Sequence, residues 1–205
     1  AAGLYHGRIA AGGIQTLKTG FIGIVGRPNV GKATLLNSIQ GEKIAITTDK
    51  PQTTRNVIRG IFTRLGETSD GLGDGCEDGV QMVFVDTPGI HKPHSKLGTY
   101  MTDSAINTFK EVEVILFLVD SDISKGPGDK YILEMLKEID TPKILVINKI
   151  DTMEPEYFRR IYEEYSSMGI FDDVFGTSAL EGQNVDKLLA RIEDFLEDGP
   201  MFFPE

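Results

Sequence analysis

An α/β fold, a six-stranded and mainly parallel sheet between two layers of helices, is predicted by three observations. Short apolar runs alternate with helical stretches along most of the 205 residues, as they do where helices connect parallel strands. Runs such as FIGIV (21–25) and VEVILFLVD (112–120) are almost continuously apolar, as strands buried on both faces must be. A glycine-bearing turn, GRPNVGK, directly follows the first run and opens a helix, so that a tight loop sits between a strand and a helix N-terminus.

The elements follow in order. Residues 1–17 read as an N-terminal extension, because the first twenty residues are rich in Gly and Ala and lack a clear period. The domain proper is placed at 18–198. After the strand at 21–25 and a helix at 32–40, NVIRGIFTRL (56–65) alternates like a half-exposed strand. A third strand, VQMVFVD (80–86), faces it across a hairpin-like gap, which makes the 56–65 strand the antiparallel edge. The gap itself, 66–79, carries five acids, five glycines and no base. It is too polar to bury and reads as a flexible acidic hairpin insertion. Helix follows at 96–110, strand at 112–120, helix at 128–139, strand at 143–148, and a helix at 155–168 that begins on Pro155. The last strand lies within DVFGTSA (173–179), and a closing helix covers 184–196.

Composition bounds the function. The chain is 40% hydrophobic and 25% charged, ordinary values for a globular domain. No apolar run reaches the roughly 18 residues that a membrane span needs. The net charge of −10 argues against a grip on a nucleic-acid backbone by this chain alone, and no DNA partner is expected. The single cysteine, Cys76, allows no internal disulfide and fits a reducing, cytoplasmic setting.

Four short signals, each at the carboxyl end of a predicted strand, carry the chemistry, and that rim is where open α/β sheets bind ligands. In GRPNVGKATLLN (26–37), Gly26, Asn29, Val30 and Gly31 form a loop whose N–H groups can curl around a polyphosphate. Lys32 adds a point charge there, and Ala33 and Thr34 begin the helix. In DTPG, Asp86 can reach Mg²⁺, and the N–H of Gly89 can meet a terminal phosphate that disappears on hydrolysis. In NKID, the carboxylate of Asp151 can accept both N–H groups on the Watson–Crick edge of guanine, whereas adenine would leave it unpaired. Asn148 can tie this loop to the glycine loop, and the stem of Lys149 can lie along the ring. In SAL, which spans Ser178, Ala179 and Leu180, the N–H of Ala179 can donate to the guanine O6. A fifth stretch, TTDKPQTTRN (47–56), supplies Thr54, or alternatively Thr53, as a switch residue for Mg²⁺ and the γ-phosphate.

With these residues in view, the sequence from about 18 onward resembles the Era family of Ras-like GTPases. The motifs GRPNVGK and NKID are shared with neighbouring families, while KPQTTR and DTPGIHKPHSKLG are more specific. The resemblance implies a three-layer P-loop GTPase fold, GTP and GDP as ligands, Mg²⁺ as cofactor, and catalytic roles for Lys32, Thr54, Asp86 and Gly89. It implies Thr54 and Asp86 as Mg²⁺ ligands. In place of the water-orienting glutamine of Ras-like proteins stands Ile90. Relatives with a hydrophobic residue there often use K⁺, and Asn29 matches the residue that helps to bind it. His91 and His94 read as solvated rather than catalytic. EDGPMFFPE looks like the family's linker, with 199–205 its start, to a KH domain that binds the 3′ end of small-subunit (16S) ribosomal RNA. No KH segment follows here, so this reads as the GTPase part of a longer protein. Its expected partner is the small ribosomal subunit. The expected location is the cytoplasm, with peripheral contact at the inner membrane, or an organelle in a eukaryote.

One residue departs from the motif. Where a Ser or Thr hydroxyl normally holds Mg²⁺, the chain has Ala33. A methyl group cannot coordinate the ion, which wants six oxygens. The phosphate cradle is built from backbone and Lys32 and should survive. The expectation is therefore retained nucleotide binding, weakened Mg²⁺-dependent GTP binding and turnover, and a preference for GDP. The alternative is a non-catalytic guanine-nucleotide module that signals by occupancy.

Overall fold

The computed structural model describes residues 17–42, 57–65, 79–86, 106–121 and 127–203. Residues 1–16, Thr53 and Thr54, the acidic insertion up to 78, the DTPG segment beyond Asp86 with Gly89, Ile90, His91 and His94, and most of the helix expected at 96–110 lie outside them.

The strands are β1 (Leu17–Gly26), β2 (Val57–Arg64), β3 (Gly79–Asp86), β4 (Val114–Val119), β5 (Lys143–Ile147), β6 (Asp173–Gly176) and β7 (Glu197–Asp198). The helices are α1 (Lys32–Glu42), α2 (Pro127–Lys137), α3 (Pro155–Ser166) and α4 (Val185–Glu193), with a further helical stretch at 106–110 and a 3₁₀ turn at Ile150–Thr152. The sheet order is β2-β3-β1-β4-β5-β6, with β7 paired to β1. All neighbours are parallel except β2 on β3 and β7 on β1. The expected mainly parallel sheet with an antiparallel edge is therefore present.

The strands divide the core in two by simple alternation. Ile22, Ile24, Val114, Leu116, Leu118, Ile144 and Val146 pack with Leu35 and Ile39 of α1 and with Leu188 and Ile192 of α4. Val25, Ile115, Phe117, Leu145 and Ile147 point the other way, to Phe109, to Ile132 and Leu136 of α2, and to Ile161 and Tyr165 of α3. β4 and β5 have no exposed position at all, which is why their sequences are apolar without a break.

Two features differ from the sequence expectation. The first strand begins at Leu17 rather than at 21, because Leu17–Gly20 pair with Gly79–Met82 of β3. Local composition offers no hint of this, since the pairing partner lies about sixty residues away. The second feature is β7, which lays Glu197 and Asp198 against Thr19 and Lys18. Beyond it, Gly199 N–H donates to the Leu17 carbonyl at 2.9 Å. Gln81, fully buried on β3, then clamps the segment. Its Oε1 accepts from the N–H groups of Phe202 (2.8 Å) and Phe203 (3.0 Å), and its Nε2 donates to the Phe203 carbonyl (2.8 Å) and to Thr63 Oγ1 (3.1 Å). A buried amide is tolerated there because its bonding capacity is met.

Strand register sets the functional rim. Ile24 pairs with Asp86, Gly26 with Leu118, Val119 with Ile147, and Ile147 with Gly176. The carboxyl ends of β1, β3, β4, β5 and β6 thus finish level, and the segments that follow them share one edge of the sheet.

Candidate nucleotide-binding site

The glycine loop is shaped by contacts that exclude side chains. At Gly26 a Cβ would stand 2.6 Å from the carbonyl oxygen of Leu118. Gly31 has φ +104°, and a Cβ there would meet Asn148 Nδ2 at 2.2 Å. Between them Asn29 adopts the left-handed conformation with φ 66°, which Asn accepts more readily than most residues. Helix α1 starts at Lys32, and its free N–H groups give the loop a positive end. Lys32 Nζ donates to the carbonyls of Gly26 (2.6 Å) and Arg27 (2.8 Å). Burial pushes its pKa down, while the charges of Asp86 and Asp129 oppose the shift. Val30 is buried, Thr34 partly so, and Ala33 faces solvent.

Asn148 is the centre of the base side. It is 1% exposed, and its amide reaches three residues on two other segments. Nδ2 donates to the Val30 carbonyl at 3.0 Å, and Oδ1 accepts from Ala179 N–H at 3.0 Å and from Thr177 Oγ1 at 3.2 Å. Its own N–H donates to the carbonyl of Val119 at 2.8 Å. The expected tie between NKID and the glycine loop is therefore formed, and the SAL loop is tied in with them. The N–H of Ala179, expected to face a guanine O6, donates to Asn148 here, so a base would have to share or displace that bond. Ser178 is buried and bridges to Gln183, while Leu180 is 75% exposed. Asp151 lies exposed in the 3₁₀ turn, with its neighbour Ile150 N–H bonded to the Thr177 carbonyl at 3.1 Å.

Lys149 occupies the left-handed region, with φ 64° and ψ 36°. Its ammonium donates to the Asn29 carbonyl at 2.7 Å and to Asp120 Oδ2 at 2.8 Å. Asp120 also accepts from Arg27 Nη2 at 3.1 Å, and Arg27 Nε lies 2.6 Å from Asp129 Oδ2 at the start of α2. Asp120, Arg27 and Asp129 were not singled out from the sequence. Asp120 carries the same signal as Asp86, an acid closing a buried strand. Arg59 was missed too. It falls at a register shift in β2, between Ile58 and Gly60, and donates through Nε to Asp86 Oδ2 at 3.2 Å. A bulge can re-aim a side chain in this way.

Among the described residues no cluster of three or more His, Cys, Asp or Glu could hold a metal by itself. The residues present do fit a Mg²⁺ that arrives with phosphates, since that ion is commonly held by one or two carboxylates plus phosphate oxygens. Asp86 offers the carboxylate, and Ala33 contributes no oxygen.

A family model described as 50S ribosome-binding GTPase matches residues 21–149, the stretch from β1 to Lys149. The chain belongs to that family. Within it the chain is 52% identical to the GTPase Era of Alkaliphilus oremlandii over 93% of its length and 60% of the relative's. It is 48% identical to the GTPase Era of Clostridioides difficile over 92% of its length and 59% of the relative's. The chain thus spans about 60% of the length of these relatives. Among solved structures it is similar to Era in complex with MgGDPNP and nucleotides 1506–1542 of 16S ribosomal RNA. There the TM-score is 0.66 and the identity 35%, over 92% of this chain and 60% of that one. It is similar also to a single-substitution variant of Aquifex aeolicus Era bound to GDP·AlF₄⁻, with TM-score 0.65 and 34% identity over 91% and 60% of the two chains. The fold is that of a P-loop GTPase; GRPNVGK lies within the matched region, whereas NKID straddles its end, with Asn148 and Lys149 inside and Ile150 and Asp151 beyond it.

Proposed function

We propose that this chain is the guanine-nucleotide switch of an Era-like GTPase that acts in assembly of the small ribosomal subunit. The observation that carries the reading is Asn148, whose buried amide joins the glycine loop, the NKID turn and the SAL loop into one cradle. Such a cradle sets a base-recognising carboxylate, Asp151, at a fixed reach from a phosphate loop. The specificity for guanine follows from Asp151, because adenine has neither the N1–H nor the 2-amino donor that the carboxylate accepts.

In hydrolysis a water attacks the γ-phosphorus, the bond from that phosphorus to the β,γ-bridging oxygen breaks, and GDP departs with the electron pair. Catalysis of this reaction is mostly positioning and charge stabilisation. Lys32 and the N–H groups of residues 29–34 bind the β- and γ-phosphates. Asp86 supplies the carboxylate toward Mg²⁺, which when bound neutralises charge developing on the phosphate oxygens. Thr54 and Gly89 complete the switch in this reading, and Asn29 takes part in holding K⁺. Partner RNA of the 16S type would be held by a KH domain outside this chain, consistent with the acidity of the GTPase part.

Ala33 favours a second reading, a module that binds guanine nucleotide and turns it over poorly or not at all. Calorimetry with GDP, GTP and ATP, with and without Mg²⁺, tests the first step: GDP should bind and ATP should not. Ala33→Ser then decides between the readings. A regained hydroxyl should raise GTP affinity in Mg²⁺ about ten-fold and raise potassium-dependent turnover. Unchanged turnover would leave only the occupancy module, and equal binding of ATP would end both.

A further inference from the structure

We infer that Asp120 is a positioning residue for guanine recognition, acting through Lys149; the inference rests on the nucleotide reading above. Asp120 closes β4 midway along the rim, between the glycine loop on β1 and the NKID turn on β5. Its side chain is 12% exposed, and its two oxygens face two different cations. Oδ2 accepts from Lys149 Nζ at 2.8 Å, and Oδ1 accepts from Arg27 Nη2 at 3.1 Å.

The importance of the first contact follows from the state of Lys149. Its side chain is 40% exposed, so packing alone does not fix it, and a free lysine stem carries large rotamer entropy. Its left-handed backbone fixes where the stem begins. Its ammonium is fixed by Asp120 and by the Asn29 carbonyl at 2.7 Å. Held at both ends, the four-carbon stem runs from the NKID turn to the glycine loop, and its methylenes would offer an apolar edge. That edge is what a purine ring would stack against. The contact with Asp120 is charge-assisted and partly desolvated, hence stronger than a neutral bond. The Asn29 carbonyl alone gives one neutral acceptor, insufficient to immobilise an exposed lysine.

Dissociation of a fluorescent GDP analogue, followed by stopped flow in Mg²⁺ buffer, tests this. Asp120→Asn should release the nucleotide about ten-fold faster, the size expected for loss of one charge-assisted bond. Asp120→Glu, which keeps the charge, should recover most of that loss. In a Lys149→Met background Asp120→Asn should change the rate less than about two-fold, since its target is gone. An undiminished ten-fold effect in that background would overturn the inference and assign Asp120 to Arg27 and the glycine loop. So would a lowered melting temperature of Asp120→Asn with an unchanged release rate, the mark of a purely structural role. Failure of the unmodified chain to bind GDP would instead remove the nucleotide reading, and this inference with it.

Discussion

The two halves of the candidate site are built differently. On the base side, Asn148 is buried and bonded through both its amide nitrogen and oxygen, and the turns around it are stitched backbone to backbone through Ile150 and Thr177. On the phosphate side, the described residues are less constrained. Lys32 is bonded to carbonyls of its own loop, Ala33 is exposed, and Asp86 meets an arginine that is itself half in solvent. On the proposed reading, recognition of the base would be assembled in advance by the protein, whereas the metal and γ-phosphate chemistry would lean on groups that arrive with the nucleotide. On that reading, a change at Ala33 would alter turnover while leaving the contacts of Asn148 in place.

The largest effect should come from breaking the base side at its centre. Asn148→Ala leaves the Val30 carbonyl, the Thr177 hydroxyl and the Ala179 N–H without their buried partner. We expect a loss of about 3 kcal/mol in urea unfolding together with loss of GDP binding; retention of both would refute a pre-assembled cradle. Next is Gly31→Ala, which forces a Cβ into the left-handed region and against Asn148. About 2 kcal/mol of destabilisation is expected, with weakened GDP affinity read by calorimetry. If affinity holds, the two halves are less tightly coupled than their contact implies.

A smaller, pH-dependent effect lies under the rim. The phenol pKa of Tyr165 is raised, first by burial and then by the negative charge of Asp129, against the opposing pull of Arg27. The unfolded chain then ionises this group first, near the ordinary value of 10.0. The group stabilises the fold below that pH, and its contribution is lost as pH rises above it. Melting curves of Tyr165→Phe should accordingly fall less steeply than those of the unmodified chain above about pH 10; parallel curves would assign the alkaline loss elsewhere. The smallest effect is expected at Arg59→Ala. Its pair with Asp86 is exposed, so stability should move by less than about 0.5 kcal/mol. A larger shift by urea titration would mean that the phosphate side is held more firmly than the geometry indicates.

How far the sequence could be read follows the range of the interactions. The strands declare themselves because burial on two faces leaves an uninterrupted apolar string, and the glycine loop because only glycine fits beside Leu118 and Asn148. The reach of Asn148 to the glycine loop was legible from its place after a buried strand. The ion pairs of Asp120, Arg27 and Asp129 were not, since partners from about thirty to about a hundred residues apart in the chain leave no local period. Arg59 was hidden by a bulge, which shifts register without altering composition. The early start of β1 and the existence of β7 depend on pairing with remote strands, which polar residues such as Lys18 and Asp198 do not advertise.

The clamp formed by Gln81 has a mechanical corollary. β7 meets β1 at Lys18 and Thr19, while the glycine loop leaves β1 at Gly26, so the two lie roughly 25 Å apart at strand rise, at opposite ends of the strand. Phe202 and Phe203, bonded to Gln81, are thereby fixed at the end of the sheet away from the glycine loop. A probe grafted at Met201 would turn as one body with the domain, well clear of the glycine loop.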